Sequence, residues 1–341
     1  MSGRRAPRRR PTLEDVAARA GVSRATASRA LTGSPRVTDE TRAAVAAAAE
    51  RLGYIPNRAA RSLASHRTET VALVVSEPSE HLFADPFFAG TIRGIGAGLA
   101  DSRYQLVLLM SQSDADHERV ERHLLRGNAD GVLLLSARTD DPLPERLRGA
   151  GIPCVLAGRP ADGTDVSYVD ADNVGGAEQA VTHLVAQGRT TIATINGPPT
   201  LPPGADRLIG WRKALLDAGR RPVRGLAAAG GFTRGGGTAA AAALLARRPD
   251  VDGIFAASDL MAIGALDALR RAGRRVPEDV AVVGFDDSGL AESADPPLTT
   301  VRQPIDDIGW HMADLLLARL DRGAAPSHVV LPTELVVRSS S

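Results

Sequence analysis

The chain has 341 residues, 43% apolar and 24% charged, and its 41 Lys+Arg and 40 Asp+Glu leave a net charge of +1. That length suits two or three globular units. No run of 18 uncharged apolar residues is present to make a transmembrane helix, and no apolar stretch follows the arginine-rich residues 1–10 to make a secretory signal. Cys154 is the only cysteine, so an intrachain disulfide and a cysteine-based zinc site are excluded. A reducing, cytoplasmic location is expected.

The charge is divided unevenly. Residues 1–67 carry 14 basic and 5 acidic side chains (net +9), and the remainder carries 27 and 35 (net −8). A basic head on an acidic body points to a polyanion as the partner of the head. Arg4 to Arg10, within an arm spanning 1–11, either add phosphate contacts or form a disordered tail.

Thr12 opens a helix in which Glu14 and Asp15 suit the positive end of the dipole. Leu13, Val16, Ala17 and Ala20 share one face, and Gly21 stops the helix. Ser23 caps a second helix running to about Leu31, with Ala27, Ala30 and Leu31 inward and Arg24, Ala25, Thr26, Ser28 and Arg29 outward. Thr38 caps a third, with Val45, Ala49 and Leu52 inward and Gly53 at its end. Two short helices on a glycine turn plus a third describe a helix-turn-helix over 12–56, whose second helix enters the major groove. Arg24 is the candidate for base readout, and Ser23, Thr26, Ser28 and Arg29 for phosphate contacts. Thr12, Ala25, Arg36, Tyr54, Asn57, Arg58 and Ala60 complete the candidate DNA-binding set.

The order Thr12-Leu13-Glu14-Asp15-Val16-Ala17, Gly21-Val22-Ser23, Thr26, Ser28-Arg29, Leu31 and Tyr54-Ile55-Pro56-Asn57 resembles the lactose-repressor (LacI/GalR) family of bacterial regulators. The resemblance implies a hinge helix and linker over 57–67 that orders on operator DNA, with Leu63 wedging into the minor groove.

From about Thr70 the pattern becomes α/β. Strands are expected over 71–75, 105–110, 130–135 and 153–157, then in a second series starting near Asp170 over 191–196, 253–257 and 280–285. Helices are expected over 173–187, 206–218, 235–247 and 259–272, and 329–337 reads as a last strand-like run. Asp85-Pro86 reads as a cap followed by proline at the first helical position. Two such series suggest two lobes with a ligand cleft beyond the C-terminal ends of the strands. The lobes are placed at about 68–169 with 304–331, and at about 170–301 with 332–341.

The resemblance continues in Asp206-Arg207-Leu208-Ile209-Gly210-Trp211, in Ser258-Asp259-Leu260-Met261-Ala262-Ile263-Gly264, in 276–287 and in 297–304. It implies a two-lobed effector domain of the periplasmic-binding-protein type, without cofactor or metal, and a homodimer on a palindromic operator. Such a protein is a repressor, not an enzyme, controlled by a sugar or sugar derivative. Arg207 and Asp286 would bind ligand hydroxyls or a carboxylate; Phe87 and Phe232 would supply apolar faces; Ser258 and Gln303 would line the cleft. Arg207 and Asp286 read alternatively as a structural ion pair between lobes or a helix cap, and Asp259 reads as a cap.

Four positions depart from the family pattern. Gly158 stands where many sugar-responsive members carry aspartate, and Arg159 beside it would favour an anionic ligand. Leu201 and Pro203 occupy positions that are polar elsewhere, and Ala27 replaces a larger apolar residue. Enzyme motifs are missing. The glycines of 94–98 have the wrong spacing for a dinucleotide fingerprint, 235–238 lacks the P-loop lysine, and there is no G-x-S-x-G elbow. His117 and His123 are six apart, off the spacing a shared metal would use.

Overall fold

The computed structural model describes residues 11–31, 34, 36–54, 67–160 and 165–341, the Arg224 side chain excepted. The chain divides into two compact units, Met1–Glu69 and Thr70–Ser341. Residues 1–10 of the expected arm, and Asn57, Arg58, Ala60 and Leu63 of the expected hinge, lie outside the described residues.

The first unit is a three-helix bundle: α1 (Leu13–Ala20), α2 (Arg24–Leu31) and α3 (Asp39–Leu52). Each start is built from a short polar side chain. Thr12 and Asp15 form a reciprocal capping box, Ser23 Oγ accepts from Thr26 N at 3.1 Å, and Thr38 Oγ1 accepts from Thr41 N at 3.3 Å. α1 ends at Gly21, whose φ of 68° turns the chain toward α2. Val16, Ala17, Ala27, Ala30, Val37, Val45, Ala48 and Ala49 form the core. Ala27 is fully buried there, so the small side chain sits inside the bundle and not on its outer face.

The second unit contains two sheets whose strands are parallel except for one edge pair. The first sheet draws on β1 (Thr70–Val75), β2 (Gln105–Met110), β3 (Gly131–Leu135), β4 (Cys154–Ala157), β5 (Ser167–Ala171) and β11 (His328–Leu331), in the order β11-β5-β4-β3-β1-β2. The second draws on β6 (Ile192–Asn196), β7 (Ala227–Ala229), β8 (Gly253–Ala256), β9 (Ala281–Asp286), β10 (Thr299–Arg302) and β12 (Glu334–Val336), in the order β12-β10-β9-β8-β6-β7. Their central strands are buried on both faces, which is why they read as continuous apolar runs. β2 is different: it lies on the sheet edge, with Val107 and Leu108 each 40% exposed.

Helices pack on both faces. The elements that position the cleft are α4 (Ser79–Ala84), α5 (Pro86–Leu99), α8 (Asn173–Ala186), α9 (Pro202–Asp217), α11 (Asp259–Arg271) and α13 (Ile305–Arg322). Between the first and the last of these come α6 (Asp114–Leu125), α7 (Leu143–Gly149), α10 (Arg234–Arg247) and α12 (Gly289–Ser293). No helix among the described residues is long and apolar enough to cross a membrane.

Two expectations need correction. The run 329–337 is two strands, because Pro332 has no N–H to continue a ladder; β11 joins the first sheet and β12 pairs antiparallel with β10 in the second. Helix α9 begins at Pro202, not at Asp206, since prolines are accommodated in a first turn whose N–H groups have no intrahelical partner.

Candidate functional site

The chain passes between the sheets after β5, after β10 and after β11. The C-terminal strand ends of both sheets therefore face one cleft. Residues from both lobes line it, and its lining combines apolar walls with a few charged groups, as in small-ligand sites. Phe87, Gly158, Arg207, Phe232, Ser258, Asp286 and Gln303, seven residues scattered over the sequence, all line it.

Arg207 is the anchor of the second lobe. It projects from the second turn of α9 and is buried. Its Nε donates to Asn173 Oδ1 at 2.8 Å, and Nη1 donates to the Ala257 carbonyl at 2.6 Å and lies 3.4 Å from Asp286 Oδ1. The guanidinium stacks 3.6 Å from the centre of the Phe285 ring. Burial lowers its pKa, and the carboxylates of Asp286 and Asp170 oppose that shift. Asp286 ends β9 and accepts from Gln303 Nε2 at 2.6 Å. Burial pushes its carboxyl well above the usual range, against the pull of Arg207. Arg207 and Asp286 are indeed an ion pair, but both belong to the second lobe, so the pair does not tie the lobes together.

Ser258, not Asp259, caps α11, with its Oγ accepting from Met261 N at 3.3 Å. The Asp259 carboxylate turns inward, accepting from Ser288 N and Oγ at 2.8 and 3.0 Å and from Thr300 Oγ1 at 2.6 Å. It thereby fixes the loop that follows Asp286. Ser136, Phe232 and Asp286 line the cavity with φ of 59°, 57° and 113°, strained values for residues with a Cβ. The Phe232 ring rests on Gly197, where any Cβ would overlap it.

Sequence reasoning missed the first lobe's polar contribution. Glu77, His81 and Asp85 all line the cavity, and their i, i+4, i+8 spacing was the available signal. Asp85 caps α5 as expected, accepting from Phe87 N at 3.0 Å. Asp170 and Asn173 also face the cleft, and burial pushes the Asp170 carboxyl up to about 6. Arg159 is not among the residues lining the cleft: it pairs with Asp206 and lies 3.5 Å from Asp170. The lobes meet at that Arg159–Asp206 pair, at Thr139, whose N donates to the Thr200 carbonyl at 2.9 Å, and at His81.

In the first unit, Ser23, Arg24, Ala25 and Arg29 are exposed at α2, and Thr26 and Ser28 are half-buried beside them. Arg24 pairs with Glu14 at 2.7 Å in the open, its side chain 71% exposed. Such a pair holds about 0–1 kcal/mol and is readily exchanged for another anion. Arg36 is exposed before α3; Thr12 is engaged in its capping box; Tyr54 packs half-buried against the bundle core.

Comparison with known proteins gives this arrangement a family. Residues 12–57 match the family model of bacterial regulatory proteins of the lacI family, and residues 181–341 match a periplasmic binding protein-like domain. The HTH-type transcriptional regulator CelR of Thermobifida fusca is 52% identical over 336 residues, 98% of this chain and 99% of that protein. The ribose operon repressor of Escherichia coli (strain K12) is 34% identical over 314 residues, 91% of this chain and 93% of its own length. A solved CelR–cellobiose complex superimposes with a TM-score of 0.79 at 50% identity, covering 97% of this chain and 100% of that one. The lac repressor dimer bound to operator and the anti-inducer ONPF gives a TM-score of 0.84 at 28% identity, covering 97% and 99%. The chain belongs to the lacI family of bacterial regulatory proteins and is a transcriptional regulator with a DNA-binding head and a two-lobed effector domain, not an enzyme.

Proposed function

We propose that the protein is a sugar-responsive repressor that binds a two-fold symmetric operator as a homodimer in the cytoplasm. The observation that carries the reading is the convergence of Arg207, Asp286, Gln303 and Phe232 on one cavity. A guanidinium and a carboxylate can each grip two hydroxyls, and an aromatic ring covers the C–H face of a sugar. Phe87 and Ser258 add an apolar wall and a hydroxyl, and Gly158 leaves room where a side chain would project. CelR, the relative solved with cellobiose, makes cellobiose the first effector to test.

The charge of the cavity narrows the ligand class. Glu77, Asp85, Asp170 and Asp286 face Arg207 and His81, so carboxylates outnumber cations. A neutral sugar is accommodated; a phosphorylated one meets an excess of negative charge.

The dimer reading is supported by β2. A six-residue edge strand showing Val107 and Leu108 is a liability on a monomer and an asset at an interface. Two heads held by one dimer read two half-sites, with Arg24 at base edges and Ser23, Thr26, Ser28, Arg29 and Arg36 at phosphates. Thr12, Ala25 and Tyr54 border that surface, and Asn57, Arg58, Ala60 and Leu63 would follow along the DNA. The effector acts only through its different affinities for the two states of the lobes. The test is cellobiose titrated into the full-length protein by calorimetry and into its complex with operator by fluorescence anisotropy. Binding together with a shift in operator affinity supports the reading. Heat without any shift in DNA binding overturns the regulatory link, and tighter binding of a sugar phosphate overturns the ligand class.

A further inference from the structure

The first lobe's polar cluster is organised around one side chain. His81 stands in α4 with its side chain 11% exposed. Its Nδ1 lies 2.9 Å from Glu77 Oε2, and its Nε2 lies 3.1 Å from the Phe232 carbonyl oxygen and 3.6 Å from Asp85 Oδ2. Both ring nitrogens thus face oxygen acceptors. A neutral imidazole has one N–H and would set its other nitrogen's lone pair against an oxygen lone pair. The geometry is satisfied on both sides only by the imidazolium, which donates from both nitrogens.

One of those acceptors belongs to the other lobe. The Phe232 carbonyl is aimed by two consecutive left-handed residues, Gly231 at φ 61° and Phe232 at φ 57°, with the Phe232 ring lodged on Gly197. The Phe88 ring from α5 meets His81 edge-on at 5.5 Å; Glu80, on its own helix, is exposed; Arg207 and Asp286 face it from the second lobe across the cavity.

We propose that His81 is the latch of the cleft, a positioning residue whose imidazolium ties the first lobe to the Phe232 carbonyl and holds the Glu77 and Asp85 carboxylates where a ligand hydroxyl meets them. The proposal rests on the cleft being the effector site. With Oε2 of Glu77 taken by His81, Oε1 accepts no bond among the described residues and is left for a ligand. Opening the lobes removes one acceptor from the imidazolium and lets the carboxylates swing, so closure and proton retention are coupled. The two carboxylates push the His81 pKa up to about 10, Asp85 contributing most. The stability that the charged ring lends the fold is fully present below the ordinary histidine value of 6.5 and is lost as pH rises through about 10.

The experiment uses the full chain labelled with ¹⁵N-histidine, seven rings in all. Two-bond ¹H–¹⁵N spectra are recorded between pH 6 and 10, with cellobiose affinity measured in parallel for wild type and His81→Gln. The latch predicts one ring protonated at both nitrogens past pH 8, its signal missing from His81→Gln. It also predicts cellobiose affinity at least tenfold weaker in the variant, and a wild-type fall in affinity toward pH 10 that the variant lacks. A neutral His81 at pH 7, or a variant with wild-type affinity and pH profile, overturns it. If His81→Gln fails to fold, the ring spectrum and the pH profile of the wild type decide alone. A protein that ignores cellobiose in every assay sinks the effector reading, whereas cellobiose bound equally by both proteins sinks only the latch.

Discussion

Two arginines show how differently one side chain is used in this molecule. Arg207 is buried, bonded to Asn173, Ala257 and Asp286, and stacked on Phe285. Arg24 stands in solvent with the Glu14 carboxylate beside it. The first is fixed before any ligand arrives, so little order remains to be imposed on binding. In the proposed reading the second keeps its freedom until a base edge or phosphate displaces Glu14. On that reading, small-ligand recognition rests on a prebuilt receptor, and DNA recognition on a side chain that commits late.

The largest expected effect would break the rigid half of that contrast. Asp286→Asn removes the carboxylate paired with Arg207 in the interior, which costs about 3–5 kcal/mol. Effector affinity by calorimetry should fall more than a hundredfold while operator affinity of the unliganded protein holds; an unchanged effector response would move the site elsewhere. Gly197→Ala drives a methyl group into the Phe232 ring. It should lower unfolding stability by about 1–3 kcal/mol in urea denaturation and weaken the effector in step.

Arg24→Ala tests the mobile half. It should cost about 1–3 kcal/mol on the cognate operator and relax one base position. A loss uniform across sequences would reassign Arg24 to a phosphate. Salt sharpens the contrast: raising it should weaken operator binding steeply and leave sugar binding nearly unchanged. The smallest effect belongs to Glu14→Ala, which frees Arg24 and should shift operator affinity by less than about 1 kcal/mol. A larger change would mean that the Glu14 pair orders Arg24 as firmly as Asp286 orders Arg207.

What was legible in the sequence was local. Thr12, Ser23, Thr38 and Asp85 announce helix starts because capping needs only the next two or three residues. The buried strands announce themselves as apolar runs for the same reason. The seven cleft residues came from a family pattern, and no periodicity would have gathered them. What was not legible depends on contacts far apart in the chain. His81 meets Phe232 across 151 positions, and Arg159 finds Asp206 across 47. The run ending in β12 divides because its two halves pair with different sheets, a fact no nearby residue encodes except Pro332.

The interleaving of the lobes carries a consequence for how such a gene can change. β11 returns after β6 to β10 of the second lobe to pair with β5, and His328 stacks on Tyr168 with ring centres 5.0 Å apart. Neither lobe is a continuous stretch of coding sequence, so a single recombination event inside it yields two incomplete sheets. The DNA-binding bundle is continuous, with α1 to α3 lying between Leu13 and Leu52. One junction downstream of it is enough to join an intact receptor to a new address on the chromosome. Target sites can therefore be exchanged wholesale, whereas the receptor must drift toward a new ligand one substitution at a time.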